Sequence, residues 1–343
     1  MSKIKAIFTA LSISLVLTLG ALPTVTNAAP ANGTGFTAAV VATSGQKITG
    51  DIDATGYDIG IYIGPGIHNV LVKNATVTGA NNEGILVQDA SDITIKDSTI
   101  SGNGVKPYSG PGSPLTENKA IVLAGTTDSL VKNNIVEDNM ADGGISILDD
   151  GPNHPFAPET VSDSPIASRG NVIMRNTIRR NWFACGIVVA AKNPGGGVYD
   201  TVVSKNTVLG GWSDVPGDSI PYVGGIVVAG GAFGPVVVAD TVVLKNTVNG
   251  GLIPGITLHA FGPGTISNTK IIGNILSNNG AGELSGATTG IEIFAVPDVG
   301  IITGTQILSD DISNDVYGIW HAGDIPPHVA HLMTDNVLII VFP

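Results

Sequence analysis

Seven times the chain repeats one short phrase: two alternating apolar residues, a cation, then Asn or Asp, as in Val70-Leu71-Val72-Lys73-Asn74. The phrase returns at Ile93-Thr94-Ile95-Lys96-Asp97, Ser129-Leu130-Val131-Lys132-Asn133, Val172-Ile173-Met174-Arg175-Asn176, Val202-Val203-Ser204-Lys205-Asn206 and Val242-Val243-Leu244-Lys245-Asn246. A last copy, Lys270-Ile271-Ile272-Gly273-Asn274, lacks the cation. A second phrase, Gly-Ile-x-Val or a close variant, accompanies each copy, at Gly60, Gly84, Gly144, Gly186, Gly225, Gly255, Gly290 and Gly318, with Ala120 standing in once. Self-similarity at such spacing marks a solenoid, and β-branched runs alternating at period two make its strands short β-strands. The expected fold is all-β: a single-stranded parallel β-solenoid of about nine or ten coils.

The step from Gly60 to Gly84, 24 residues, is what three short strands and three turns require. Longer steps then read as insertions at two turns. One set precedes the Gly-Ile strand, within 104–118, 209–223 and 280–289, and the other follows it, within 149–168, 191–199 and 230–235. Side-chain alternation points Val70 and Val72 inward and Leu71 and Lys73 outward. Stacked coils turn Asn74, Asp97, Asn133, Asn176, Asn206, Asn246, Asn274 and Asp310 into an expected ladder of side-chain amides. The same stacking makes Lys73, Lys96, Lys132, Arg175, Lys205 and Lys245 an outward column of cations, read most simply as solvated strand ends. Leu71, Thr94, Leu130, Ile173, Val203, Val243 and Ile271 form an outward apolar column, which either inserted loops or a second copy of the chain in a homo-oligomer would cover.

The Asn-x-x-[Ile/Val] and Gly-Ile-x-Val phrases, over roughly 56–342, resemble the right-handed parallel β-helix superfamily, the pectate-lyase-like proteins. The resemblance implies a right-handed helix. It also implies a range of activities: polysaccharide lyases, glycoside hydrolases, uronan epimerases, adhesin modules and periplasmic copper-delivery proteins share the architecture. Residues 1–28 read as a signal peptide, with Lys3 and Lys5 before an apolar run that ends at Thr26-Asn27-Ala28, so the expected address is extracellular. Residues 29–55 read as an N-terminal cap and 56–343 as the helix proper. With 28 Asp and Glu against 16 Lys and Arg, the formal net charge is -12, a poor match for nucleic acid. No later run is apolar for long enough to predict a membrane span. The single cysteine, Cys185, allows no internal disulfide.

Chemistry is expected where the repeat is interrupted. The segment beginning Asp149-Asp150-Gly151-Pro152-Asn153-His154 is the longest insertion; Lys192 stands at nearly the same turn one coil on, and His259 two coils beyond that. Paired carboxylates Asp149 and Asp150 suit general acid-base roles or a shared Ca²⁺ ion, and Lys192, His259 or Arg175 suits proton abstraction from a uronate. Arg169, His154, Trp212 and Tyr222 are the candidate substrate contacts. A plainer reading makes Asp149-Asp150-Gly151 a turn closed by an ion pair to Lys192. The motifs of the calcium pectate lyases, Trp-Ile-Asp-His and Arg-x-Pro-x-x-Arg, are absent, as are Asn-Thr-Asp and Arg-Ile-Lys of the polygalacturonases. The expected function is action on an extracellular polysaccharide by lyase or hydrolase chemistry; the alternative is a non-catalytic surface or glycan-binding protein. A histidine tail, His321, His328 and His331 with Asp324, is a third candidate, for metal.

Overall fold

The computed structural model describes residues 36–104, 120–139, 143–151, 164–181, 185–210, 224–231, 234–251, 254–280, 289–315, 317–322 and 339–341. Among these the chain is all strand and turn, and every strand pair is parallel, forming sheets of 11, 16 and 5 strands. The 11-stranded sheet, called A here, collects the Gly-Ile strands from Ala38–Val41 to Ile339–Val341. The 16-stranded sheet, B, folds into two limbs that diverge from one long strand, Leu71–Thr78. The 5-stranded sheet, C, stacks Ser168–Arg169, Gly197–Tyr199, Val236–Ala239, Gly264–Ser267 and Ile301–Thr303.

The core is a set of β-branched columns. Ile61, Ile85, Ile121, Ile145, Ile187, Ile226, Ile256 and Ile291 stack inside sheet A, facing Val72, Ile95, Val131, Ile173, Val203, Val243 and Ile271 from the first limb of B. Burying each such side chain stabilises the fold by about 1.5–3 kcal/mol, and the branched Cβ suits a pleated strand.

The turns between strands are built alike. A residue at φ of about +50° to +60° bends the chain, and the next residue sends its side chain along the stack. Asn74, Asp97, Asn133, Arg175, Lys205, Lys245 and Ser309 take the left-handed conformation at the first turn of B, and Gly273 takes it in the copy without a cation. The ladder proper is the following residue. Asn134 donates to Asn176 Oδ1 at 3.0 Å, Asn176 to Asn206 at 3.0 Å, Asn206 to Asn246 at 3.0 Å, Asn246 to Asn274 at 2.9 Å and Asn274 to Asp310 at 2.8 Å. Asn74, Asp97 and Asn133 therefore belong to the bend and not to the ladder, where Ala75, Ser98 and Asn134 stand instead. Asn133 bonds Asp97 on the outside, 3.1 Å away. A second ladder, five residues on, runs Asn103 to Asn139 to Asn181. The Asn-x-x-x-x-Asn spacing of Asn134 and Asn139, repeated in Asn176 and Asn181, is the signal that marks it.

This one-residue slip corrects two further expectations. Lys73, Lys96 and Lys132 align with Met174, Ser204 and Leu244 at the strand end, whereas Arg175, Lys205 and Lys245 sit at the left-handed bend. The cations thus form two short columns. In the apolar column, Ile173, Val203, Val243 and Ile271 point into the core, because the later phrases begin one residue nearer the bend. Their outward neighbours Val172, Val202 and Val242 continue the outward column of Leu71, Thr94 and Leu130, which reaches a cation at Lys270.

Candidate functional site on the outer face of sheet A

Sheet A differs from sheet B on its outer side. Tyr62, Leu86, Val122, Val188 and Val227, successive outward residues of neighbouring strands, are buried in a hydrophobic cluster separate from the core. Polar groups share this buried face. Ser146 and Thr257 lie in the same column as those residues, with hydroxyl oxygens that have no hydrogen-bond partner among the described residues. Further polar groups gather at both ends of the column.

Around Asp149 the turn is a closed structure. Its Oδ1 accepts from the Lys192 backbone N–H at 2.7 Å and its Oδ2 from that of Asn193 at 2.9 Å. Burial pushes its carboxyl up to about 6, against the opposing pull of those N–H groups. Gly196 lies so close that a Cβ there would come within 2.0 Å of Asp149 Oδ2. Desolvation lowers the Lys192 amine to about 7. The Lys192 main-chain N–H thus closes the turn on Asp149.

Asp150 goes the other way. Asp149 reaches forward to the next coil, and Asp150 reaches back toward the preceding ones. There it meets Asp89, across Gly125: a Cβ on Gly125 would stand 2.3 Å from Asp89 Oδ1 and 3.0 Å from the Asp150 Cβ. Burial first, and then the Asp150 charge, push the Asp89 carboxyl up to about 8. Tyr62 donates to Gln88 Oε1 at 3.1 Å, and burial together with the charges of Asp150 and Asp89 raises its phenol to about 12. Asp149 and Asp150 thus do not converge on one ion; the facing carboxylates are Asp89 and Asp150. Asp89 ends a Gly-Ile-Leu-Val-Gln strand, and a left-handed Asp at a strand end gives no sequence sign of a partner two coils away.

His259 sits three strands beyond Leu148 on sheet A, in the column Leu148, Ala190, Ala229, His259. At about 4.8 Å per strand this separates it from the Asp150 turn by about 14 Å. Its partner is Glu292 on the next strand: Nε2 to Oε2 is 3.3 Å. Phe261 and Phe294 hold the imidazole edge-on, with ring centroids 5.3 and 5.6 Å away. Thr257 pairs with Glu292 across the strands, and Trp320 follows Glu292 in the same column, half-exposed. The Glu292 side chain is 10% exposed, against 1% for His259, so the pair reaches the surface through its carboxylate. Glu292 lay unread in Gly290-Ile291-Glu292-Ile293 as a routine outward position.

Arg175 is exposed at the bend between the limbs of sheet B, away from sheet A, because its phrase puts it at the turn rather than on a strand. Arg169 stacks on Tyr199, its guanidinium carbon 3.9 Å from the ring centroid, on sheet C. Sheet C itself replaces part of the expected loops: 191–199 and 230–235 lead into strands Gly197–Tyr199 and Val236–Ala239. His154, Trp212 and Tyr222 lie outside the described residues, as do Asp324, His328 and His331 of the histidine tail.

Residues 38–242 match the family described as the right handed beta helix region, and the chain belongs to that family. No curated protein matches it. Among solved structures, the A-module of the mannuronan C-5 epimerase AlgE4 from Azotobacter vinelandii is similar at 17% identity, over 87% of this chain and 77% of that one, with a TM-score of 0.46. An alginate lyase from Paenibacillus is similar at 13% identity over 85% and 88%, TM-score 0.46. The surface adhesin PfbA of Streptococcus pneumoniae is similar at 13% identity over 81% and 82%, TM-score 0.41. These similarities concern architecture, and no residue role passes from them to this chain.

Proposed function

We propose that this β-helix protein is secreted and acts on an extracellular polysaccharide, with His259 and Glu292 as its acid-base pair. The observation that carries the reading is the 3.3 Å contact between His259 Nε2 and Glu292 Oε2, clasped by Phe261 and Phe294. A carboxylate beside an imidazole fixes the orientation of the ring for proton transfer. In an elimination the imidazole takes the proton α to a uronate carboxylate, the bond to the glycosidic oxygen breaks, and that oxygen leaves with a proton. Inverting or retaining hydrolysis needs two carboxyl groups flanking the bond. The facing carboxyl groups here, Asp89 and Asp150, are turned into the protein with their oxygens buried, so the geometry favours the lyase type and a uronate-containing substrate. Trp320 and Phe294 supply ring faces or edges for a sugar. Asp149 and Lys192 become turn-forming residues in this reading.

The test is a panel of acidic and neutral glycans, followed both by reducing-end release and by the absorbance of unsaturated uronates. Wild type gives both signals on its substrate, and Glu292→Gln and His259→Asn lose them while keeping the wild-type circular dichroism. Full activity in both variants removes the assignment. A second reading, a non-catalytic glycan-binding protein, is favoured by the 1% exposure of His259, Asp149 and Asp150. It gives neither signal on any glycan, with retention on an immobilised one.

A further inference from the structure

The strongest unexplained feature lies at the other end of sheet A, where Asp89 and Asp150 face each other across Gly125. Among the described residues, both oxygens of Asp89, Oδ2 of Asp150 and Nε2 of Gln88 are buried without a hydrogen-bond partner, apart from the bond the two carboxyls make to each other when one is protonated. Asp150 and Gln88 are each 1% exposed. Buried polar atoms are nearly always satisfied, and four orphans in one place indicate something missing between them. Gln88 marks the same space independently of the acids. Its amide holds the Tyr62 hydroxyl at 3.1 Å, and that hydroxyl lies close enough to feel both carboxylates.

A shared proton is the smallest group that would relieve the pair. It bridges one oxygen of each carboxyl, leaving the remaining Asp89 oxygen and the Gln88 amide as they are. A hard divalent cation does more. It takes oxygen ligands from both carboxylates and keeps water in its remaining positions, and one such water can accept from Gln88 Nε2. It also lets both buried carboxyls ionise, by offsetting the repulsion between their like charges.

We propose that Asp89 and Asp150 hold a divalent cation of the Ca²⁺ class, with water between the ion and Gln88, which ties the coils carrying Asp89 and Asp150 across the intervening coil of Gly125. The site, centred on the intervening coil of Gly125, stands about 19 Å from His259 (four strands of about 4.8 Å), so it locks the scaffold and takes no part in the reaction proposed above. It stands or falls independently of that reaction. Glycine at 125 is part of the device: a side chain there would occupy the space between the carboxylates.

The experiment is calorimetric titration of the EDTA-treated, desalted full-length protein with CaCl₂, paired with thermal unfolding in EDTA and in Ca²⁺. The proposal expects saturable binding of one ion and a Tm that rises with Ca²⁺. Asp89→Asn and Asp150→Asn each lose the binding heat and the Tm response. In EDTA they melt at or above the wild-type temperature, because the charge repulsion is gone. That last arm separates the loss of a ligand from misfolding, which would lower the variants' Tm in EDTA. Absence of Ca²⁺ binding and of any Tm response in wild type overturns the proposal, as does an unchanged response in both variants. A wild-type Tm that depends on pH alone, alike with and without Ca²⁺, identifies a shared proton and overturns it too.

Discussion

The inner sides of sheets A and B are alike, and their outer sides are not. Inside both, one branched residue repeats from coil to coil. Outside sheet B, the residues are half-exposed or exposed and mostly threonine, Thr76, Thr99, Ile135, Thr177, Thr207, Thr247 and Ile275 following one another down the second limb. Outside sheet A, the residues are buried and change at almost every coil: Tyr62, Leu86, Val122, Ser146, Val188, Val227, Thr257, Glu292. A solenoid needs repetition only where coils meet. Sheet B shows how little else is required, and sheet A concentrates the departures, with unpaired polar atoms among them.

The comparison breaks most sharply at a ladder position. Asn206 accepts from the N–H and the amide of Asn176 and donates to Ile173 O and to Asn246, four bonds of 2.9 to 3.0 Å. Asn206→Ala leaves buried donors and a carbonyl unpaired, each at about 1–3 kcal/mol. We expect a loss of about 3–5 kcal/mol in urea unfolding, the largest effect of any single change discussed here. A loss below about 1 kcal/mol would mean that the ladder is not what holds the turns.

The ends of the two ladders offer a change of opposite sign. At the C-terminal coil Asp310 and Asp315 stand where the preceding coil has Asn274 and Asn279, each with an Oδ2 that is buried and has no partner among the described residues. Burial pushes Asp315 up to about 6, although the Asn279 backbone and side chain pull it down. Its folded value is above the unfolded one, so its contribution is fully present below about pH 4 and is lost as pH rises through 6. Asp315→Asn restores a donor and removes that dependence. At pH 7.5 it should stabilise the protein by about 1–2 kcal/mol, after allowance for partial exposure. At pH 3.5 the gain should vanish. Thermal unfolding at the two pH values reads both.

On sheet A the corresponding truncation should be harmless. Ser146 is fully buried and its hydroxyl has no partner, among neighbours Val122 and Val188. Ser146→Ala removes an unsatisfied hydroxyl at the expense of a very small void, and the expected change is a gain of about 0.5–1 kcal/mol. If stability instead falls by more than about 1 kcal/mol, the Ser146 hydroxyl has a partner.

Repetition explains what could be read from the amino-acid sequence. Period-two runs and returning Gly-Ile phrases led to the parallel solenoid, and to the inward Val70 and Val72. The ladder was read one residue early in the first three coils, because Asn74, Asp97 and Asn133 are good left-handed residues and mimic ladder residues in type. Arg175, Lys205 and Lys245 occupy that bend in later coils, where a non-glycine φ above zero costs more, and nothing local announces it. On sheet A, Asp149, Asp150, Lys192 and His259 were singled out as interruptions of the pattern. Their partners were invisible: Asp89 and Glu292 lie on other coils, and pairing between coils depends on loop lengths that composition does not reveal.

The smallest effect tests whether sheet B owes anything to its surface charges. Arg180 donates from Nε and NH2 to both oxygens of Asp138, at 2.8 and 2.7 Å, and also to Glu137, which Arg179 contacts at 2.6 Å. These groups are exposed or nearly so, and exposed pairs contribute little once solvent and side-chain entropy are counted. The Arg180 hydrogen bonds hold the Asp138 carboxyl below its ordinary range. Arg180→Gln should therefore return Asp138 toward that range in an NMR titration while leaving Tm almost unchanged, and about 1 M salt should erase the remaining difference. A clear, salt-resistant fall in Tm would place real stability on the outside of sheet B. The contrast with sheet A would then lie in the kind of interaction on each face, charge on one and burial on the other.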